Sequence, residues 1–352
     1  VVLSLIEDVA YISNLQNLNR FYEGKGSEII EKIALEFLER TVSFGTDGPN
    51  DQQIYNIIVP NLDPLQACKW IVDRLSTDKG FPFFLYSSLF TDQLIVRDLE
   101  QLLKSNVASR AIPYKLGQGS QMNAMLPFMT RKTIISYKLG RSEDLFKLIT
   151  NGNIGSSYSY LNTALPDAST EIKFDYDIVK DTLKPALDAS VLPIEQQNPG
   201  YTPAFKYEDK PFNEIQSRNF ALLGGSNPFR VTRLPVDGSL PQYPLALGEA
   251  YDEAQYKLFV GSRAIKNLLV KAPVTITVPA IDFIDGETHT TTGTQIRVEF
   301  EKTDFERKKE YEKRVDSKIS GNYLIYRSRH ILKPDRYDLA LTMVKLGSEG
   351  EV

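Results

Sequence analysis

Asn322 to Gly347 reads NYLIYRSRHILKPDRYDLALTMVKLG. Tyr323 to Leu332 and Tyr337 to Leu346 are rich in β-branched and aromatic residues, and Lys333-Pro334-Asp335-Arg336 between them is turn chemistry. The stretch predicts a β-hairpin. With Pro334 and Asp335 at the tip of a symmetric loop, Leu332 should face Tyr337, His330 Leu339, Ser328 Leu341 and Tyr326 Met343. That face is largely apolar, and Tyr326, Leu339, Leu341 and Met343 are expected to pack inward. Because side chains alternate with period 2, the other face pairs Ile331 with Asp338, Arg329 with Ala340, Arg327 with Thr342 and Ile325 with Val344. Arg327 and Arg329 therefore stand side by side on the wetter face, as exposed arginines ordinarily do.

The bulk numbers set bounds around this hairpin. A chain of 352 residues suggests two or three domains at roughly 150 residues each. Its 41 basic and 45 acidic residues give a net charge of −4, which argues against a dedicated nucleic-acid binder. A single cysteine, Cys68, excludes an intrachain disulfide and a cysteine-rich zinc site, and its apolar helical position points to the core. The two histidines, His289 and His330, lack the HxxxH or ExxH spacing of a metal site, and His330 is read as a packed side chain. No run approaches the ~20 apolar residues that a membrane helix needs.

Along the chain, residues 1–13 (VVLSLIEDVAYIS) read as a strand from the inside of a longer protein. Ser27 is placed to cap a helix whose Ile30, Ile33, Ala34, Phe37 and Leu38 share one face, with Glu28–Lys32 and Glu36–Arg40 as i,i+4 pairs. A short strand at Ile57 to Val59 leads to Asp63 as N-cap and Pro64 as first residue of a second helix. That helix is striped by Leu65, Cys68, Val72 and Leu75 and ends at Lys79-Gly80. FPFFLYSS and QLIVRDLEQLL follow as a hairpin running into a short helix, so residues 14–130 form a mixed α/β unit.

From Lys132 the pattern turns to strands: KTIISYKLG, IGSSYSYLNTAL and STEIKFDYDIV, and later APVTITVPAIDFI, GTQIRVEF and the closing hairpin. Between the two sets lie a proline-rich stretch and a helix from about Glu249 to Lys271. Neither set closes a β layer alone, so one β domain interrupted by an insertion is the simplest arrangement. The run EKTDFERKKEYEKR, from Glu301 to Arg314, mixes its signs and reads as a solvated loop or exposed helix.

No stretch selects a catalytic constellation. Asp282, Asp285, Glu287 and His289 in IDFIDGETHTTTG are the densest polar cluster near a strand, yet Asp-Gly is itself a turn signal. GQGSQ, from Gly117 to Gln121, lacks a phosphate-loop context, and LLGGSNPF, from Leu222 to Phe229, reads as a flexible turn. We expect no catalytic residue, no metal ligand and no cofactor.

The order of four stretches resembles the baseplate central hub proteins of T4-like contractile-tailed phages. VVLSLIEDVAYISNLQNL looks like the exit of that family's first tube-like domain. GSEIIEKIALEFLERT, with the segment from IIVPNLDPLQ through VRDLEQLL, is similar to the domain that follows. NGNIGSSYSYLNTALPDASTEIKFDYDIV is similar to the opening strands of the second tube-like domain, and YDEAQYKLFVGSRAIKNLLVKAPVTITV with GTQIRVEF and the final hairpin to its return.

The resemblance implies an α+β chain: a tube-like antiparallel β-barrel domain with a mixed α/β domain before it and a long insertion within it. The implied division is 1–13, the last strand of an incomplete first tube-like domain; 14–130, the α/β domain; 131–181 and 272–347, the two parts of the second tube-like domain; and 182–271, the proline-rich insertion and helix. It implies a virion protein without enzymatic activity, a homotrimer forming a pseudo-sixfold ring that adapts a sixfold tail tube to a threefold spike. Its partners would be the central spike, tube or tube-initiator proteins and a tape-measure protein, with no membrane, and with the genome passing through unbound. Against this stand the hub of a type VI secretion or bacteriocin spike and, from another class, a cell-wall-cleaving enzyme. The stretch from about Thr182 to Leu247 and the run from Glu301 to Arg314 are longer than the family pattern implies.

Overall fold

The computed structural model describes residues 6–45, 48–49, 51, 54–88, 91–104, 114–116, 132–140, 156–162, 169–174, 206–207, 210–211, 219–224, 261–262, 265–266, 269, 273–280, 292–300, 315–316, 319–334 and 336–347. Statements about structure below concern these residues.

The first unit carries α1 (Asp8–Asn14), β1 (Phe21–Lys25), α2 (Gly26–Leu38), β2 (Thr41–Ser43), β3 (Ile54–Ile58), α3 (Pro64–Val72), β4 (Phe83–Ser88), β5 (Thr91–Asp98) and α4 (Leu99–Lys104). β1 pairs with β3, and β2, β5 and β4 form a three-stranded sheet in that order. Ile29, Ile30 and Ile33 of α2 are fully buried in one cluster with Ala67, Cys68, Ile71 and Val72 of α3. Each such aliphatic side chain contributes about 1.5–3 kcal/mol when withdrawn from water.

Asp63 caps α3 as its sequence indicates: its Oδ1 accepts the Gln66 amide at 3.0 Å, with Pro64 next in line. α3 ends at Val72, earlier than Lys79-Gly80, and Leu75 is buried from the turn beyond. The hairpin of β4 and β5 running into α4 is present.

Three local readings are corrected. Residues 8–14 are a helix, not part of a strand. Val9 and Ser13, four apart, are its buried residues, and the Ser13 hydroxyl donates to Asp63 Oδ1 at 2.6 Å while accepting the Leu65 amide at 2.9 Å. That is a helical period, and it fastens α1 to the start of α3. Ser27 does not cap α2; Lys25 occupies that position, and Ser27 lies inside the first turn, bonded through its amide and hydroxyl to Asp51. Glu36 pairs with Arg20, and Arg40 with Asp8 and Asp92, in place of a Glu36–Arg40 pair. The cause is Glu39, whose left-handed φ of 53° ends the helix and carries Arg40 away from it.

β6 (Tyr114–Leu116), β7 (Thr133–Ile134) and β8 (Ser136–Leu139) come next. β9 (Ser156–Asn162), β10 (Ser169–Phe174), β11 (Lys206–Tyr207), β12 (Lys210–Pro211) and β13 (Asn219–Gly224) follow, and β14 (Val274–Pro279), β15 (Gln295–Glu299), β16 (Gly321–Leu332) and β17 (Tyr337–Gly347) end the chain. Seven strands form one sheet in the order β7-β6-β15-β16-β17-β14-β8.

The two outermost strands, β7 and β8, are halves of one stretch joined through Ile135. β7 pairs with β6, β8 pairs with β14, and the Ile135 amide donates to Thr277 O at 2.8 Å. One segment thus bridges both ends of the sheet and bends it into a nearly closed barrel around Ile276, Val278, Ile296, Val298, Ile325, Leu339, Leu341 and Met343.

Strands on both sides of residues 140–273 meet in this sheet, as an interrupted β layer requires. Its pairing is mixed rather than purely antiparallel, because β6 lies parallel to both β7 and β15. β6 comes from the stretch assigned to the α/β unit. β9 and β10, expected in the barrel, form a separate sheet with β13, and Leu222 to Gly224 belong to β13 rather than to a turn. Gly261, Ser262, Ile265, Lys266 and Leu269 are helical, and Ser262, Ile265 and Leu269 are buried at the spacing of one helix face.

Candidate assembly surface

The hairpin of β16 and β17 has the expected register from Leu332↔Tyr337 to Arg327↔Thr342. A bulge then intervenes at Tyr326, and Ile325 rather than Tyr326 stands opposite Met343. Both Ile325 and Met343 are fully buried. The extra residue shifts the following part of the strand by one, which exchanges its faces. Tyr326 is half-buried and outside the barrel core, and burial raises its phenol pKa.

Around the bulge the two faces of the sheet can be followed across four strands. Inward, Leu139, Val274, Met343 and Ile325 form one row, and Tyr137, Ile276, Leu341 and Ser328 the next. Outward, Lys138, Thr275, Thr342 and Arg327 form one row, and Ser136, Thr277, Ala340 and Arg329 the next. Lys138, Arg327 and Arg329 are exposed and form no hydrogen bond or ion pair among the described residues. Three cations thus flank a floor of small side chains. At the hairpin tip, by contrast, the cations are paired: Asp338, only 2% exposed, receives Lys333 and Arg336, each at 3.0 Å.

His330 is half-buried, with its Nδ1 bonded to the Tyr337 hydroxyl. Burial lowers its pKa and raises that of Tyr337, consistent with a packed imidazole. Cys68 is fully buried, which pushes its thiol up to about 12. Asp282, Asp285, Glu287 and His289, the stretch from Gly117 to Gln121 and the run from Glu301 to Arg314 lie outside the described residues. Among the described residues no three His, Cys, Asp or Glu side chains gather as a metal site, and no helix is long and apolar enough to cross a membrane.

Where the α/β unit meets the barrel, a cleft of about 450 Å³ is lined by Val9, Leu85 and Leu94 on one side and by Leu324, Tyr326 and Val344 on the other. Gln295 of β15 crosses the junction, donating from Nε2 to the carbonyls of Leu102 and Leu103 at 2.8 Å each. Lys266 bonds to Asp73 and, at 3.3 Å, to Phe83 O. Sequence reasoning missed Gln295 and the bulge, which depend on partners distant in the chain, and the burial of Asp338, whose partners Lys333 and Arg336 lie close by at the turn.

No protein-family model matches the chain, and no curated protein matches it in sequence. Among solved structures it is similar to the tail protein from Neisseria meningitidis MC58, at 10% identity and a TM-score of 0.41, over 96% of this chain and 72% of that one. It is likewise similar to the 43 kDa tail protein of prophage MuSo2 from Shewanella oneidensis, at 10% identity and a TM-score of 0.45, over 96% of this chain and 71% of that one.

Proposed function

We propose that this chain is a structural component of a phage tail and, within that class, the central hub of a contractile-tail baseplate. The observation that carries this reading is the nearly closed seven-stranded sheet assembled from strands on both sides of a long intervening stretch. An interrupted β domain of this kind is what the resemblance of the four sequence stretches to the hub family implies. Three copies, each supplying tube-like β domains, would form a pseudo-sixfold ring between a sixfold tube and a threefold spike. Such a subunit works through extended complementary surfaces rather than through a polar catalytic cleft, and the genome passes without specific binding.

Electron microscopy of the purified chain, alone and mixed with its cognate spike protein, tests this. Ring-shaped trimers that bind the spike at their threefold axis are the expected result. A monodisperse monomer that binds neither spike nor tube would overturn the reading.

A further inference from the structure

We propose that the outer face of the barrel-like sheet docks onto helix α2 of a second copy of the chain. The proposal rests on the ring reading and specifies the contact between its subunits.

On one side, Arg327, Arg329 and Lys138 flank a floor made by Thr275, Thr342, Thr277 and Ala340. Arg327 and Lys138 stand three strand spacings apart, roughly 14 Å. Three cations without carboxylate partners, around small side chains, suit an acidic ridge bearing one apolar projection.

The α/β unit presents such a ridge. Glu28, Glu31 and Leu35 follow one another along one side of α2, Glu39 stands at its C-cap, and Leu35 is 65% exposed. From Glu28 to the C-cap position the acidic edge runs roughly 16 Å at 1.5 Å per residue, close to the separation of the cations. Among the described residues Glu31 and Glu39 are exposed and form no hydrogen bond or ion pair, while Glu28 accepts the Lys25 amide at 3.4 Å. Lys32 lies beside the ridge and offsets one of the three carboxylates, leaving a net negative surface. Leu35 would settle over the small floor, with the carboxylates reaching the flanking cations.

The two surfaces lie on different parts of one chain, so the contact is head-to-tail. A heterologous contact of this kind builds a ring when its rotation closes. The cations of one face and the carboxylates and Leu35 of the other are exposed in the single chain, over a half-buried floor of small side chains, and each face offers what the other lacks.

The test is the oligomeric state of the 352-residue chain by light scattering after gel filtration, at low and high salt, for four proteins: wild type, R327E/R329E, E31K/E39K, and the combined variant. Each double variant is expected to weaken self-association by about tenfold or more, the combined variant to recover most of it, and high salt to weaken the wild type. Circular dichroism separates loss of association from loss of fold. Wild-type trimers that both double variants leave intact would overturn this docking and leave the ring reading standing. A wild type that stays monomeric at every concentration would overturn both. Association lost in both double variants and not recovered in the folded combined variant would also overturn the pairing of these two faces.

Discussion

The side-chain amide of Gln295, on the barrel, donates to the main-chain carbonyl of Leu102 at the end of α4, and the same nitrogen reaches Leu103 O. Gln295 is 5% exposed, so this bond joins the two units in a place that water reaches poorly. Helix ends leave carbonyls without intrahelical partners, and here a strand from the other unit supplies the donor. Replacing Gln295 with Leu should cost about 2 kcal/mol in urea unfolding, the desolvation cost of stranded buried acceptors. Gln295→Glu should cost more, because a carboxylate facing two carbonyls cannot donate.

Asp51 plays a comparable part at the other end of a helix. It is 2% exposed, and its carboxylate accepts the Ser27 amide at 2.8 Å and the Ser27 hydroxyl at 3.0 Å. A first-turn amide of α2 is thereby satisfied from a distant residue, in the manner of an N-cap. Asp51→Ala should lower stability by about 2 kcal/mol, and Asp51→Asn, which keeps a carbonyl acceptor, by less. Thermal unfolding of the two variants against wild type measures both.

These contacts show where sequence reading stops. The core faces of α2 and α3, the Asp63-Pro64 helix start and the β4–β5 hairpin were legible because each depends on local periodicity or a neighbouring residue. The closing hairpin was legible from its tip as far as Arg327. It then failed at Tyr326, because a bulge is set by how Ile325 packs against Met343 and not by alternation in the strand. The α1 segment failed for a related reason. An apolar run with one buried face fits a strand or a helix until its partner is known, and the partner is Asp63 of α3. β9 and β10 look like strands of the barrel, yet pair with β13, since strand character does not name a neighbour. The basic outer face was visible as Arg327 and Arg329, while Lys138 joins them only through two intervening strands.

Gly293 offers a test of how closely the two units approach. Its φ is +84°, a left-handed value that costs an L-residue about 1–2 kcal/mol, and an added Cβ would collide with the Tyr86 hydroxyl. Gly293→Ala should therefore destabilise by more than the backbone term alone. In a double-mutant cycle with Tyr86→Ala the collision disappears while the backbone strain stays. The pair should then be less destabilised than the sum of the single variants by about 1 kcal/mol. Additive effects would show that Tyr86 moves aside without cost.

Lys345 gives a pH signature. It is 4% exposed and stands opposite Tyr323 in the hairpin; burial lowers its pKa from 10.5 to about 8, with the Asp316 carboxylate pulling weakly the other way. The unfolded lysine holds its proton until near 10.5, whereas the folded one releases it from about 8 upward. Between those values the unfolded chain binds more protons, so stability must rise with pH. Below about 8 both states are protonated, and the full penalty of a buried ammonium is present. The buried Cys68 thiol, pushed from 9.0 up to about 12, works in the opposite sense from about pH 9 upward, as do buried phenols such as Tyr323 above about pH 10, so the rise is read between about pH 8 and 9. Urea midpoints should climb across that interval in the wild type. Lys345→Met should be more stable than wild type at pH 7 and should show a flatter profile. A wild-type midpoint that falls from pH 8 to 9 would mean that the ammonium of Lys345 is solvated in the folded chain.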